Sequence, residues 1–251
     1  MSSLVEIVEF LDRELRIAEI PDYPGAVNGL QLENGGTVSK VAAAVDASLP
    51  VVEKAIAANA DMLLVHHGMF WQGARPVTGA TYRKLCCAME KDLAIYSAHL
   101  PLDVHPEWGN SACLAKAIGM SAPEPFMDWK SLSLGLKEPL GISLDELLKR
   151  VESAVGGRIH HCPGGSTEVG MVGVVTGGAG SQLEQAVEDG VDTFITGEGP
   201  HWSFPLAEEL GVNLIYGGHY ATETFGVKAL AEALAARFGV DWEFLDHPTG
   251  L

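Results

Sequence analysis

The sequence has few cysteines and few basic residues. Only 4 of its 251 residues are cysteines, and none forms a CxxC pair, so neither a disulfide framework nor a cysteine zinc site is indicated. Lys and Arg total 16 against 33 Asp and Glu, giving a formal net charge of −17 without any basic cluster. Because nucleic acids and anionic lipids are bound through clustered cations, we expect neither nucleic acid nor a membrane as a partner.

Long hydrophobic runs are also missing. No apolar stretch reaches the roughly 18 residues of a membrane span. The N-terminus has no basic segment, and Glu6, Glu9 and Asp12 interrupt any signal-peptide core. We therefore expect a cytoplasmic protein. With 47% hydrophobic and 20% charged residues, the composition is typical of a globular chain and not of a disordered one.

Short apolar runs alternate with amphipathic segments along most of the chain. Strands are predicted at 41–45, 62–65, 93–97, 169–176, 193–196, 213–216 and 242–245. Helices are predicted at 3–16, from a Ser48 cap to about 60, and at 82–91, 108–118, 144–154, 181–188, 202–210 and 222–237. Segments 21–36 and 121–163 are predicted as mainly loop, apart from the helix at 144–154. This alternation predicts an α/β fold with largely parallel, helix-covered sheets.

The two halves of the sequence resemble each other. Residues 55–68 (AIAANADMLLVHHG) align with 186–199 (AVEDGVDTFITGEG) at a constant offset of 131, which places Glu198 at the position of His67. A second alignment, at an offset of 120, places His99 on His219. These matches predict an internal duplication into two similar α/β lobes that enclose a cleft. The predicted bounds are 1–122 for the first lobe, 123–163 for a connecting region and 164–251 for the second lobe, with the lobes packed as one structural unit.

Histidines and carboxylates recur just after predicted strands. The candidates are His66, His67, His99 and Asp103 in the first half, and Glu198, His219 and Glu223 in the second. Imidazole and carboxylate are the ligands that borderline divalent metals prefer. The carboxyl ends of strands are also where open α/β sheets carry their chemistry. The pattern therefore favours a metal site built from both halves of the chain.

Each of these motifs also has a simpler explanation. A single histidine at a strand end is more often a hydrogen-bonded structural residue than a ligand. The adjacent His66 and His67 would diverge along an extended strand, so both could serve one site only if the chain turns at Gly68. The repeated His-x-x-x-Asp/Glu pattern in the second half favours the metal site over a metal-free scaffold with structural histidines.

Several other motifs allow two interpretations. The glycine-rich 177–180 follows a strand as a phosphate loop would, but it lacks the Walker lysine, so a tight turn is the default expectation. Residues 69–71 are interpreted as either a substrate wall or core, and His160 and His161 as surface or loop residues. His201 is a candidate proton shuttle. No Gly-x-Ser-x-Gly elbow or partnered cysteine is present, which leaves metal-activated water as the predicted reaction mode.

Several motifs together resemble the NIF-three-like family, whose members are known as GTP cyclohydrolase I type 2 homologues. They are VHHGMFW at 65–71, SAHLPLD at 97–103 and GHYATE at 218–223, with NGLQ at 28–31 and TGE at 196–198. The resemblance spans nearly the whole chain. It implies two α/β lobes around a dinuclear metal centre, a ring-shaped homohexamer, and a compact form without the central inserted domain of some members.

The resemblance also implies roles for individual residues. The metal ligands would be His66, His67, Asp103, His219 and Glu223, with Glu223 as the bridge. The catalytic candidates are Glu198 and His201, either of which would move the proton, and His99, which would contact the substrate or a ligand.

The function implied is hydrolysis of a small anionic substrate, such as a nucleotide, with two divalent ions per chain. Zinc, manganese, iron, cobalt and nickel all suit the ligand set. The alternative is a non-catalytic metal-binding or scaffold protein that forms a ring-shaped oligomer.

Overall fold

The computed structural model describes residues 1–73 and 75–251, and it folds as two units. The first unit comprises Met1–Trp108 and Gly226–His247, and the second comprises Gly109–Phe225 and Pro248–Leu251. Among the described residues, no helix is both long enough and apolar enough to cross a membrane.

The bounds of the regular elements follow the predicted alternation. The strands are β1 (Ser2–Ser3), β2 (Gly29–Leu32), β3 (Thr37–Val38), β4 (Lys40–Asp46), β5 (Met62–His67), β6 (Ala94–Ser97), β7 (Glu124–Trp129), β8 (Leu132–Ser143), β9 (His160–Cys162), β10 (Glu168–Val174), β11 (Thr193–Thr196), β12 (Asn213–Tyr216) and β13 (Asp241–Phe244). The helices are α1 (Leu4–Glu14), α2 (Leu49–Ala57), α3 (Gly79–Glu90), α4 (Leu100–Asp103), α5 (Asn110–Ala117), α6 (Leu144–Val155), α7 (Leu183–Glu188), α8 (Ser203–Leu210), α9 (His219–Thr222) and α10 (Thr224–Phe238).

The first unit contains a five-stranded sheet in the order β13-β4-β5-β6-β2. The first four of these strands run parallel, and only β2 pairs antiparallel, at the edge beside β6. Val41 and Ala43 pack in one core cluster with residues of α1 and α10, whereas Ala42 and Ala44 pack in another with residues of α2. Because both faces are covered by helices, the central strands are apolar throughout. The prediction of a largely parallel, helix-covered sheet is confirmed here.

The structure of the first unit agrees with most of the local predictions made for it from the sequence. The Ser48 hydroxyl accepts a hydrogen bond from the Val51 N–H at 3.4 Å and caps α2, as predicted. The segment 21–36 is mainly loop, as predicted, but it also contains β2, which the sequence pattern did not reveal. This strand is only 4 residues long, and its pairing with β6 shifts register between Leu30 and Leu32, so no sustained alternation marks it in the sequence.

The second unit contains a six-stranded mixed sheet in the order β7-β8-β10-β11-β12-β9. Only β10, β11 and β12 are parallel to one another, while the pairings that involve β7, β8 and β9 are antiparallel. The expectation of a largely parallel sheet is therefore wrong for this unit. As in the first unit, each face is covered: Ile195 packs with residues of α5 and α6, and Phe194 with residues of α7 and α8.

The antiparallel strands come from the segment that the sequence predicts as mainly loop. β8 alternates leucines from Leu132 onward, but Pro139 reads as a strand breaker. In the structure Pro139 pairs with Met171 where the register shifts, and such irregular positions tolerate a residue that has no N–H. His160 and His161, interpreted as surface or loop residues, both belong to β9, which pairs with β12, so the loop alternative is wrong, whereas the exposed His160 fits the surface alternative.

Candidate metal centre

Three histidines of the first unit meet at the carboxyl ends of β5 and β6. His66 and His67 are the last residues of β5, and His99 follows β6 directly before α4. A ring nitrogen of each lies within 4.8 Å of those of the other two. The ring centroids are 4.8 Å apart for His66 and His67 and 4.9 Å apart for His66 and His99. Together with Asp103, these residues are called the first half-site.

Each of these imidazoles is held through its Nδ1 atom by an oxygen acceptor. Nδ1 of His66 donates to the Ala98 carbonyl oxygen at 2.9 Å, and Nδ1 of His67 lies 2.9 Å from Asp46 Oδ1. Nδ1 of His99 lies 2.9 Å from Asp22 Oδ1. Because carbonyl and carboxylate oxygens only accept, Nδ1 carries the hydrogen and a neutral ring has its lone pair on Nε2. Metal-binding histidines are oriented in the same way in other proteins.

Asp103 places a carboxylate against the deepest of these rings. It ends the short helix α4, and its Oδ2 lies 3.5 Å from Nε2 of His66, which is fully buried at 0% exposure. A neutral Nε2 and an ionised carboxylate oxygen both present lone pairs, so a proton on either group or a metal ion would stabilise this arrangement.

The acceptors behind the histidines were not among the predicted site residues. Asp46 ends β4 in register with His67 on the neighbouring parallel strand, so its strand-end position was a usable signal. Asp22 lies in a loop far from His99 in sequence and offers no such signal. Burial disfavours its ionised form, but the hydrogen bond and charge of His99, with the Asn28 amide and the Tyr23 N–H, hold the pKa of Asp22 below its usual value.

Gly68 has a different role from the predicted turn. β5 is extended through His67, and the two rings approach each other without a left-handed residue at Gly68. A Cβ at this glycine would lie 2.2 Å from Nε2 of Gln31, whose Oε1 accepts from the Met69 N–H at 2.7 Å. A side chain at position 68 would displace the Gln31 amide from its hydrogen bonds to the Ala26 and Val27 carbonyl oxygens and the Met69 N–H, so glycine keeps that amide in place.

The second unit places one histidine between two carboxylates. His219 begins α9, after Gly217 and Gly218 have followed β12. Its Nδ1 lies 2.8 Å from Glu198 Oε1, and its Nε2 lies 3.1 Å from Glu223 Oε2. Glu223 is buried, with 3% of its surface exposed. His219, Glu198 and Glu223 are called the second half-site.

The charge of His219 follows from these two contacts. Burial of the ring disfavours the charged form, but the hydrogen bonds and negative charges of Glu223 and Glu198 raise the pKa of His219 to about 9. Without a metal the ring is therefore an imidazolium at neutral pH. A metal ion bound at Nε2 would take the place of one proton.

A glycine loop surrounds the second half-site. Gly177 has φ +71°, and a Cβ there would lie 2.3 Å from Glu223 Oε1 and 3.6 Å from His219 Nε2. Its carbonyl oxygen accepts from the N–H groups of Gly197 and Glu198 at 2.8 and 3.0 Å. The loop at 177–180 is thus a tight turn that leaves room for the Glu223 carboxylate.

The donors in both half-sites are imidazole nitrogens and carboxylate oxygens, which fit a borderline divalent ion. His201 lies in the turn before α8 with an exposed side chain. No hydrogen bond of the His201 ring occurs within the described part of the chain. The ligand set and the catalytic roles given above stay predictions.

Comparison with known proteins identifies relatives along the full length of the chain. The model of the family Duf34/NIF3 (NGG1p interacting factor 3) matches residues 2–249. A relative from Deinococcus radiodurans named GTP cyclohydrolase 1 type 2 homolog is 40% identical over 248 residues, covering 98% of this chain and 94% of its own. The solved structure of protein ybgI, described as having unknown function, is 35% identical with a TM-score of 0.91 and full coverage of both chains. That of TTHA1606 from Thermus thermophilus is 39% identical with a TM-score of 0.87, again with full coverage.

Proposed function

This chain belongs to the Duf34/NIF3 family, and on that premise we propose that it is a dinuclear metal-dependent hydrolase acting on a small anionic substrate. The observation that supports this most directly is the first half-site. Its three imidazoles each have Nδ1 held by an oxygen acceptor, and their ring nitrogens lie within 4.8 Å of one another. Orientation of this kind is typical of metal ligands.

The proposed ligands are those that the motif resemblance implies. They are His66, His67 and Asp103 from the first half-site and His219 and Glu223 from the second. Glu223 is the proposed bridge, since a carboxylate has two oxygens with which to contact two ions. We further propose that the two units arose by duplication and contribute to one cleft, and that the chain forms a homohexamer.

The chemistry divides between the ions and the protein side chains. Two divalent ions, when bound, would lower the pKa of a water molecule and polarise the bond under attack. Glu198 already accepts from Nδ1 of His219, and its partly exposed carboxylate would receive a proton and pass it on. His201, three residues further along, would exchange that proton with solvent. His99 would contact the substrate or complete the ligand set.

The substrate class follows from charge and from the names of relatives. Bound divalent ions make a site locally positive, which suits an anionic substrate despite the chain's overall charge. Relatives of this chain are named GTP cyclohydrolase 1 type 2 homologs, so GTP and other nucleotides are the first substrates to screen.

Elemental analysis of untagged protein prepared without chelators tests the metal centre. We expect about two ions per chain in the wild type and fewer in Glu223→Ala and His66→Ala. Glu209→Ala, at an exposed carboxylate of the second unit, is the matched control and should keep the full content. No metal above trace, even after reconstitution with zinc or manganese, would overturn the proposal.

Turnover separates the enzyme from a metal-binding scaffold. We expect Glu198→Gln to keep its metal, because the amide oxygen can still accept from Nδ1 of His219, and to lose hydrolysis of the best substrate from the screen, because an amide cannot carry the proton. A wild-type protein with full metal content and no turnover on any phosphorylated compound would instead support the non-catalytic alternative.

A further inference from the structure

A cavity of about 770 Å³ lies beside His67 within the first unit. This volume is in the range of small-molecule sites. Its lining includes Met69, Phe70 and Trp71, all half-buried, and Met69 also packs against a core cluster of the first unit. The Trp71 ring also lies edge-on to His99, with centroids 4.7 Å apart. The cavity therefore joins an apolar aromatic surface directly to the first half-site.

Two cations, Lys84 and Arg75, line the same cavity. Lys84, on α3, is half-buried, and its Nζ donates to the Ala47 carbonyl oxygen at 2.7 Å. Burial lowers the pKa of its ammonium group. Within residues 1–73 and 75–251, neither cation has a carboxylate at ion-pair distance, although the chain carries a net charge of −17.

The other polar groups of the cavity are two hydroxyls and one carboxylate that already has a partner. The hydroxyls of Ser48 and Thr81 line it, and Ser48 caps the first turn of α2. The carboxylate in the lining, Asp46, is hydrogen-bonded to His67. A half-buried ammonium without a counter-charge gains most from an anion supplied by a ligand, because buried charges are normally paired.

We propose that this cavity binds a nucleoside monophosphate-like ligand, with its phosphate at Lys84 and Arg75 and its planar base against Trp71. This rests on the proposed function, since it places the substrate beside His67, and it identifies the residues that select that substrate. Phosphate oxygens accept charge-assisted hydrogen bonds from lysine and arginine, and flat aromatic bases stack on tryptophan.

Calorimetric titration with GMP and with guanosine tests this proposal, because the two probes differ only in the phosphate. We expect wild-type protein to bind GMP at least tenfold more tightly than guanosine. The preference should persist after EDTA treatment, which excludes a phosphate bound only to metal. Lys84→Met and Arg75→Met should each weaken GMP binding about tenfold and leave guanosine binding unchanged.

Arg83→Met is the matched control, because Arg83 is an exposed cation on the same helix and is outside the cavity lining. It should keep the full preference for GMP. Arg75→Met keeps the test decisive if Lys84→Met destabilises the fold, since the Arg75 side chain is exposed.

Several outcomes would overturn the proposal. These are equal affinities for GMP and guanosine, no binding of GMP by the wild type, or an unchanged preference in both the Lys84→Met and Arg75→Met proteins. Metal analysis of the same samples keeps the two proposals distinct. GMP binding by a wild-type protein that never takes up metal would support the cavity and overturn the dinuclear centre.

Discussion

The two half-sites hold their imidazoles in different ways. In the first, each ring donates from Nδ1 to an oxygen, and a neutral ring carries its lone pair on Nε2. In the second, His219 has carboxylates at both nitrogens, 2.8 Å from Glu198 and 3.1 Å from Glu223. The first half-site therefore presents several imidazole donors, whereas the second presents one imidazole that is hydrogen-bonded to two carboxylates.

This difference indicates which protonation state each half-site adopts without metal. In the second half-site, a proton on His219 offsets part of the negative charge of the carboxylates. Burial lowers the pKa of His219, but the hydrogen bonds and charges of Glu223 and Glu198 outweigh burial and raise it to about 9. A metal must displace that proton to bind Nε2. The first half-site depends instead on the acceptors behind its rings, which fix the tautomer before any ion arrives.

The largest expected effect comes from filling the space beside Glu223. Gly177→Ala and Gly211→Ala share a left-handed φ, +71° and +69°, and each should lose about 1–2 kcal/mol of folding stability from backbone strain. Only at Gly177 does the new Cβ meet Glu223 Oε1, at 2.3 Å, whereas nothing lies within 4 Å at Gly211. We expect Gly177→Ala to lose about 1–3 kcal/mol more.

Gly177→Ala should also lose metal, because the Glu223 carboxylate must move away from His219. Urea denaturation and elemental analysis measure the two effects. Equal stability and equal metal content in the two glycine variants would show that the loop does not shape the second half-site.

The next largest effect is expected in the pH dependence of folding stability, which reports on His219 of the second half-site. The folded pKa of His219 is about 9, above the 6.5 of an ordinary histidine. Its contribution is therefore fully present below pH 6.5 and is lost as the pH rises through about 9. Metal-free wild type should lose stability over this window relative to His219→Gln, as measured by urea midpoints. Metal-loaded protein should show a weaker dependence, and parallel curves for the two metal-free proteins would contradict the assignment.

Substitution of Asp46 tests whether the acceptors behind the histidines of the first half-site contribute to metal affinity. Asp46→Ala removes the carboxylate that holds Nδ1 of His67 at 2.9 Å. Because such partners fix the ligand's orientation, metal affinity should fall about 10–100-fold. Asp46→Asn keeps an acceptor oxygen and should lose less, as competition with a chelating dye would show. Identical affinities in the wild type and Asp46→Ala would mean that His67 does not need this partner.

The smallest effect is expected away from both half-sites. The Ser143 hydroxyl accepts from the Glu146 N–H at 3.3 Å and caps α6 in the second unit. Ser143→Ala should lower the free energy of unfolding by about 1 kcal/mol without changing metal content or pH dependence. A loss of metal in this variant would show that general destabilisation, and not ligand geometry, explains the other results.

Much of the fold could be predicted because its central strands are covered on both faces. Strands such as β4 and β5 are continuous apolar runs, and α2, which Ser48 caps, separates these two. The strands that prediction missed are β1, β2, β3, β7, β8 and β9; all pair antiparallel with their neighbours, and four of them are at most 4 residues long. Pro139 in β8 is acceptable only because it lies at a register shift, which depends on the partner strand.

The candidate donors could be located from the sequence, but their supports could not. His66, His67 and His219 follow apolar runs closely enough to reveal strand ends. Asp22 contacts His99 across 77 positions of sequence, so nothing local marks it. A Cβ at Gly177 would meet the Glu223 carboxylate, 46 positions further along the chain, and no glycine motif in the sequence indicates this proximity.

By itself, the sequence determined the alternation of strands and helices, the donor types and their position at strand ends, because these depend on local periodicity and side-chain chemistry. Only the tertiary structure decided which oxygen faces each Nδ1 atom, that a side chain at Gly68 or Gly177 would collide with Gln31 or Glu223, and that Lys84 shares a cavity with Trp71. The reason is physical: hydrogen bonds, steric contacts and charge pairing act over a few ångströms in space, between segments that are far apart along the chain.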